Sequence, residues 1–99
     1  MTINIIRENG NLALILEGKL DAATAPQLQE VLISALEEAK NVELNFADLA
    51  YVSSAGLRVL LLGYKTAKEK GISMVLTGVS EDVMEVLEMT GFADILVIK

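Results

Sequence analysis

The order of hydrophobic periods along the chain restricts its fold more than any other feature. Two short β-type runs, Ile3–Arg7 and Leu12–Glu17, flank the dipeptide Asn9–Gly10, which strongly favours a two-residue hairpin turn. From Thr24 onward, apolar residues recur at three- and four-residue spacing, which indicates an amphipathic helix with Pro26 in its opening turn. The chain is therefore expected to begin with an antiparallel hairpin and to continue into a helix.

Strand and helix patterns then alternate as far as the end of the sequence. The pattern of Val42–Phe46 indicates a strand, and its period is lost at Ala47–Asp48, so a loop is expected through Tyr51. A glycine that follows a lysine-rich turn predicts the end of the second helix. The remaining elements predicted from period and capping residues are a helix with its apolar stripe at Leu57–Ala67 and its cap at Gly71, a strand over Ile72–Thr77, a helix from Ser80 to about Met89, and a strand over Ile95–Ile98.

The resulting order is β-β-α-β-α-β-α-β. Helices that lie between consecutive strands predict parallel crossovers, whereas the hairpin predicts an antiparallel edge. The expected fold class is therefore α/β, with a mixed sheet and about three main helices, most of them on one face. An apolar fraction of 53% is sufficient for one core, and no linker-like segment divides the chain, so residues 1–99 are expected to form a single domain.

The composition argues against most kinds of chemistry. The chain has no histidine and no cysteine, and it therefore lacks the commonest general base, the thiol nucleophile and the usual zinc ligands. We expect neither a metal site nor a cofactor. A net charge of −6 repels phosphate backbones and anionic lipids, so nucleic-acid binding is not expected. Apolar runs such as Val59–Leu62 are far shorter than the roughly 20 residues that span a bilayer, and no export signal is recognisable, which predicts a cytoplasmic protein without membrane association.

Two adjacent serines stand where the chain enters the second helix. Either hydroxyl of Ser53 and Ser54 could cap the helix, which is the usual role of a serine in this position. A phosphate on one of them would instead place a dianion where free N–H groups and the helix dipole favour it. Ala55 and Gly56 keep the first turn small. Because glycine is costly inside a helix, either tight packing or access for a partner should compensate at Gly56.

Two charged residues could complete such a site. Asp21 follows the second strand and is either a turn residue or a carboxylate that orients a partner near the serines. The loops that contain Asp21 and the serines follow parallel strands, so they are expected to lie side by side. Arg58 lies one turn into the second helix and is either solvated or in contact with an acidic partner or a phosphate.

An enzymatic role for the serines is not favoured. The sequence lacks a Gly-x-Ser-x-Gly nucleophile elbow, and it has no histidine to accept a proton. No lysine lies within a turn of Ser54, which disfavours a Ser–Lys dyad, and no Walker-type phosphate loop is present. The serines are therefore interpreted as a regulatory site in a protein that is not an enzyme.

Several segments resemble the anti-sigma factor antagonists, which are single STAS domains of bacteria. The specific segments are Gly18–Asp21, Leu44–Leu49 and Val52–Leu57, with a weaker one at Met89–Phe92. The resemblance implies a protein that binds an anti-sigma factor and so releases the sigma factor. It also implies that the anti-sigma factor is a serine kinase that phosphorylates and inactivates the antagonist, and that a phosphoserine phosphatase restores it.

Within this resemblance, the phosphoacceptor of the family falls on Ser54, with Ser53 as the second choice. The partner-binding residues would be Asp21, Ser53, Ser54, Ala55, Gly56 and Arg58. Family members often carry an aspartate where this chain has Ser53, so two hydroxyls compete here. An alternative within the same fold is a STAS accessory subunit of a transporter or signalling complex that does not switch. A monomer is expected.

Overall fold

A computed structural model describes residues 1–99. The elements follow the predicted order, and each predicted helix and strand is present. They are β1 (Thr2–Glu8), β2 (Asn11–Leu20), α1 (Ala25–Glu38), β3 (Asn41–Val52), α2 (Ser54–Lys70), β4 (Ser73–Thr77), α3 (Glu81–Met89), a short 3₁₀ helix (Phe92–Asp94) and β5 (Val97–Ile98).

The five strands form one mixed sheet in the order β1-β2-β3-β4-β5. The first two are antiparallel, and their hairpin turn has positive φ angles of 52° at Asn9 and 83° at Gly10, as a type I′ turn requires. All later neighbours are parallel. Because each parallel pair is connected by a helix and the strand order is sequential, right-handed crossovers place α1, α2 and α3 on the same face of the sheet.

The core lies between this helical layer and the sheet. Along β2 the burial alternates: Leu12, Leu14 and Leu16 are buried on the helix side, whereas Ala13 and Ile15 are only half-buried on the other side. Phe46 on β3 is completely buried and is the largest such side chain. The buried residues other than glycine all belong to one apolar cluster, and no buried residue is charged.

Three predicted strand boundaries were wrong, and the first is the end of β2, which lies at Leu20 and not at Glu17. The chain does not enter a loop after Asp48, because β3 continues to Val52 beside the last residues of β2. Register shifts between Ile15 and Glu17 and between Gly18 and Lys19 allow this pairing although the apolar alternation is broken. The last strand is limited to Val97–Ile98, since the preceding residues form the 3₁₀ helix.

Candidate functional site

The two loops that carry the candidate residues meet at one edge of the sheet. β2 ends at Leu20 and β3 ends at Val52, and these two residues are partners in the parallel register. The backbone N–H of Ser53 donates to the carbonyl oxygen of Leu20 at 2.8 Å. The segment that begins with Asp21 is thus tied directly to the start of α2, which confirms that the two loops are neighbours.

The structure separates the two serines. Ser53 is the N-cap of α2, and its Oγ accepts a hydrogen bond from the N–H of Gly56 at 3.3 Å. Ser54 is the first residue of the helix and is exposed, and its hydroxyl makes no hydrogen bond within the chain. One hydroxyl therefore stabilises the helix, while the other is free to react.

We predict that removing these two hydroxyls changes the free energy of unfolding by different amounts. Ser53→Ala should lower the free energy of unfolding by about 1 kcal/mol, because the N–H of Gly56 loses its acceptor. Ser54→Ala should change it by less than about 0.5 kcal/mol, as is usual for an exposed side chain without a partner. Urea denaturation of both variants measures the difference. Equal losses for the two variants would contradict the assignment of Ser53 as the cap.

Asp21 forms a tight turn at the entrance to α1. Its Oδ1 accepts from the backbone N–H groups of Ala23 at 3.0 Å and Thr24 at 3.1 Å. The Thr24 hydroxyl in turn accepts from the N–H of Asp21 at 2.9 Å and donates to the carbonyl oxygen of Lys19 at 2.8 Å. Asp21 is therefore a turn residue, which is one of the two roles expected from the sequence. Its turn lies beside the serines.

The same hydrogen bonds change the titration of Asp21. The N–H of Thr24 lowers the pKa of this carboxyl most strongly, and the N–H of Ala23 and the charge of Lys19 act in the same direction. Because the folded pKa is depressed, the carboxylate stabilises the fold above the unfolded pKa, and this contribution is lost as the pH falls through the folded value.

We therefore expect a pH-dependent difference between the original chain and Asp21→Asn. The original chain should have the larger free energy of unfolding above about pH 5, and this advantage should shrink as the pH falls below about 4. Urea titrations at several pH values measure this difference in the free energy of unfolding. Asp48→Asn is a matched control, because Asp48 is exposed and its side chain makes no hydrogen bond. An advantage that did not vary with pH would count against this role for the Asp21 carboxylate.

Gly56 is buried, not exposed to a partner. A Cβ at this position would lie 2.6 Å from Cγ of Leu20 and 3.2 Å from its carbonyl oxygen. Of the two explanations for this glycine, the structure supports tight packing against the end of β2. The expectation that Gly56 forms part of a partner-contact surface is thus corrected, because Gly56 is buried against Leu20.

The exposed surface of α2 extends from Ser54. Arg58 is exposed, four residues further on and therefore on the same side of the helix, and it makes no ion pair. Tyr51, which the sequence analysis did not include in the site, is 50% exposed at the end of β3. Its signal in the sequence was an aromatic residue two positions before Ser53, and it was not recognised because this segment was predicted to be a loop.

No group of three or more acidic side chains is arranged to hold a metal ion. None of the three α-helices is both long and apolar enough to cross a membrane. The hollows on the surface are open and lie away from Ser54: the one on the helix-free side of the sheet is lined by Asn11, Asn41, Glu43 and Ser73, among others. None of these hollows is lined by Asp21, Ser53 or Ser54, so the candidate site is an exposed surface at a helix start and not a pocket.

The chain is similar to known proteins along almost its whole length. The family model of the STAS domain matches residues 2–99. An anti-sigma-B factor antagonist of Bacillus subtilis is 31% identical over 98 residues, which cover 97% of this chain and 90% of that protein.

Three solved structures extend the comparison. The anti-sigma factor antagonist SpoIIAA of Bacillus was solved in unphosphorylated and phosphorylated forms, and both superpose with a TM-score of 0.77. The unphosphorylated form is 15% identical, covering 99% of this chain and 87% of that one. The phosphorylated form is 16% identical, covering 99% of this chain and 91% of that one. A sulfate transporter family protein from Wolinella succinogenes has a TM-score of 0.81 at 22% identity, covering 94% of this chain and 80% of that one. At these identities the likeness concerns the fold alone.

Proposed function

The chain belongs to the STAS domain family, and from this premise we propose that it is an anti-sigma factor antagonist controlled by phosphorylation of Ser54. In its unphosphorylated form it binds an anti-sigma factor that is also a serine kinase, and this binding releases the sigma factor. Phosphorylation ends the interaction, and a phosphoserine phosphatase reverses the modification. The chain is a substrate of these enzymes in the cytoplasm and carries no active site of its own.

The observation that carries the proposal is the different bonding of the two serines. A phosphoacceptor must offer its hydroxyl to a kinase, and Ser54 is exposed with no bond to break. Ser53 is half-buried, and its oxygen is occupied by the helix cap. Ser54 is therefore the better candidate, and this choice agrees with the position of the acceptor in the family resemblance.

The surroundings of Ser54 also suit a switch that acts without refolding. A phosphate at the start of α2 lies near the positive end of the helix dipole, where an anion is tolerated. The adjoining Leu20–Gly56 contact holds the turn in place from beneath. The added charge therefore acts mainly on the partner, which has to accommodate a dianion in a close interface.

Three exposed or half-exposed side chains complete the proposed partner surface. Tyr51 offers an aromatic ring of the kind enriched in protein interfaces, and Arg58 offers an unpaired cation. Asp21 is held by its turn but keeps Oδ2 free of hydrogen bonds. With Ser53 and Ala55 flanking the acceptor, these residues define the surface that would face the kinase.

The direct test is phosphorylation by a kinase of this class. The purified chain is incubated with ATP and each histidine-kinase-like anti-sigma factor of the source organism, and the modified residue is mapped by mass spectrometry. We expect one phosphate on Ser54 that is absent from Ser54→Ala and retained in Ser53→Ala. A phosphate on Ser53 would support control by phosphorylation but would show that Ser53, and not Ser54, is the acceptor. No phosphate from any of these kinases, with no complex formed, would overturn the proposal.

A second candidate is a STAS accessory subunit that docks constitutively on a transporter or signalling complex. The observation in its favour is the similarity of fold to the Wolinella succinogenes sulfate transporter family protein. Such a subunit would bind its partner equally well with Ser54, alanine or aspartate at this position. The affinities of the Ser54 variants therefore separate the two functions.

A further inference from the structure

The two edges of the sheet are very different. β5 contains only two residues and is paired with Val75 and Leu76 of β4. β1 contains seven residues, all of which are paired with β2 on one side, and no strand pairs with its other side. Backbone groups along a free edge of this kind are a template for another strand.

β1 lacks the features by which exposed edges are usually protected. It has no proline and no bulge, since its register with β2 is continuous from Thr2 to Glu8. Its central residues Asn4, Ile5 and Ile6 are uncharged, and the charges are confined to Arg7 and Glu8 at one end. Ile5 is 41% exposed and Ile6 is 51% exposed, so apolar surface is available on both faces of the strand.

In place of the monomer expected from the sequence, we propose that β1 pairs with β1 of a second copy of this chain, antiparallel and centred on Ile5, so that two sheets join into one. This pairing is independent of the chemistry of Ser54. A two-fold axis at Ile5 is the register that pairs all seven residues: Ile5 faces the partner's Ile5, and Ile3 faces the partner's Arg7. Neither Arg7 nor Glu8 then faces its own counterpart, so no like charges are directly opposed.

The helix side of β1 has room for such a neighbour. An open groove runs between β1 and α1, with Ile5 and Arg7 on the strand side and Glu30, Val31 and Ser34 on the helix side. The second copy would extend the floor of this groove and cover Ile5 from the side. Arg7 is already paired with Glu38 of its own α1, with Nη2 3.2 Å from Oε1, so it brings no unpaired charge to the joined edge.

The whole-molecule charge acts against this association. Each copy carries a net charge of −6, so two copies repel one another at long range. A single pair of edge strands is also a small interface, which makes the dimer weak. Its dissociation constant should therefore fall by roughly threefold or more when the salt concentration is raised from about 0.05 to 0.5 M, because salt screens the repulsion.

Sedimentation equilibrium of the chain at concentrations up to about 1 mM tests the proposal. We expect a reversible dimer that Ile5→Lys abolishes, because it places two like charges opposite each other at the axis. Ile95→Lys is the matched control: Ile95 is also 41% exposed but lies outside the sheet, so its variant should dimerise normally. A monomer at every concentration, or a dimer unaffected by Ile5→Lys, would overturn the proposal.

A cysteine at the axis tests the register. The chain has no cysteine, so Ile5→Cys introduces the only thiol, and in the proposed register it faces its own copy. Directly opposed residues of an antiparallel pair are about 4.5–5.5 Å apart at Cα, which is within the range that a disulfide spans. Under mild oxidation Ile5→Cys should form a covalent dimer rapidly, whereas Ile95→Cys should not. Equal rates for the two variants would exclude this register.

Discussion

Ser54→Asp should lower the affinity of the chain for its anti-sigma factor kinase at least about 100-fold, which corresponds to about 2.7 kcal/mol. The hydroxyl of Ser54 is exposed at the start of α2, so a carboxylate at this position enters the proposed interface without disturbing the fold. In the proposed complex this charge would have to lose water and approach the phosphates of ATP held by the kinase. Authentic phosphoserine, with a charge of about −1.5 to −2, should have a larger effect.

Isothermal titration calorimetry against the kinase, once phosphorylation has identified it, gives the affinities. Ser54→Ala should bind within about threefold of the original chain, because it removes no hydrogen bond. Ser73→Asp is a matched charge control, since Ser73 is exposed at the start of β4, at the opposite end of the parallel strands. If both Ser54→Asp and phosphoserine bound like the original chain, the non-switching accessory role would be the better explanation.

Gly56→Val should lower the free energy of unfolding by about 3 kcal/mol, at the upper end of the range for overpacked cores. The Cβ alone would lie 2.6 Å from Cγ of Leu20, a side chain that is completely buried. The carbonyl oxygen of Leu20, 3.2 Å from the same position, accepts the hydrogen bond of Ser53 and limits backbone adjustment. Urea denaturation measures the loss, and Ala55→Val, in the same turn but half-buried, should cost about 1 kcal/mol or less.

A double-mutant cycle identifies the cause of that loss. Leu20→Ala is itself destabilising, because it empties space in the core, but it also removes the atoms that valine at position 56 would strike. The cost of Gly56→Val should therefore be smaller in the Leu20→Ala background by about 0.5–3 kcal/mol. Additive effects would mean that Leu20 is not the group that requires glycine here.

The local sequence predicted most elements, because their signals are short-range. Asn9–Gly10 specifies its own turn, and Gly71 ends α2 with a positive φ of 70°. The end of β3 could not be predicted in this way. Its last residues are held by β2 across two register shifts, and no alternation of side chains within Ala47–Tyr51 records that pairing.

The candidate site was only partly predictable for a similar reason. The residue types identified a helix start with two hydroxyls, but either of them satisfied the chemistry of a cap or of a phosphoacceptor. Deciding between them requires the geometry of the first turn, in which Ser53 bonds to Gly56 and Ser54 does not. The reason for Gly56 lies in Leu20, a residue distant in sequence that only the parallel pairing of β2 and β3 brings into contact.

The separate bonding of the two serines has a consequence for the lifetime of the protein. The proposed phosphorylation of Ser54 would leave the cap made by Ser53 in place, so the two states should unfold, and be degraded, at similar rates. The total amount of the protein would then stay constant while its state changed. A cell could accordingly change the phosphorylated fraction through the balance of kinase and phosphatase activities. It could reverse that change on the existing molecules, without synthesis of new protein.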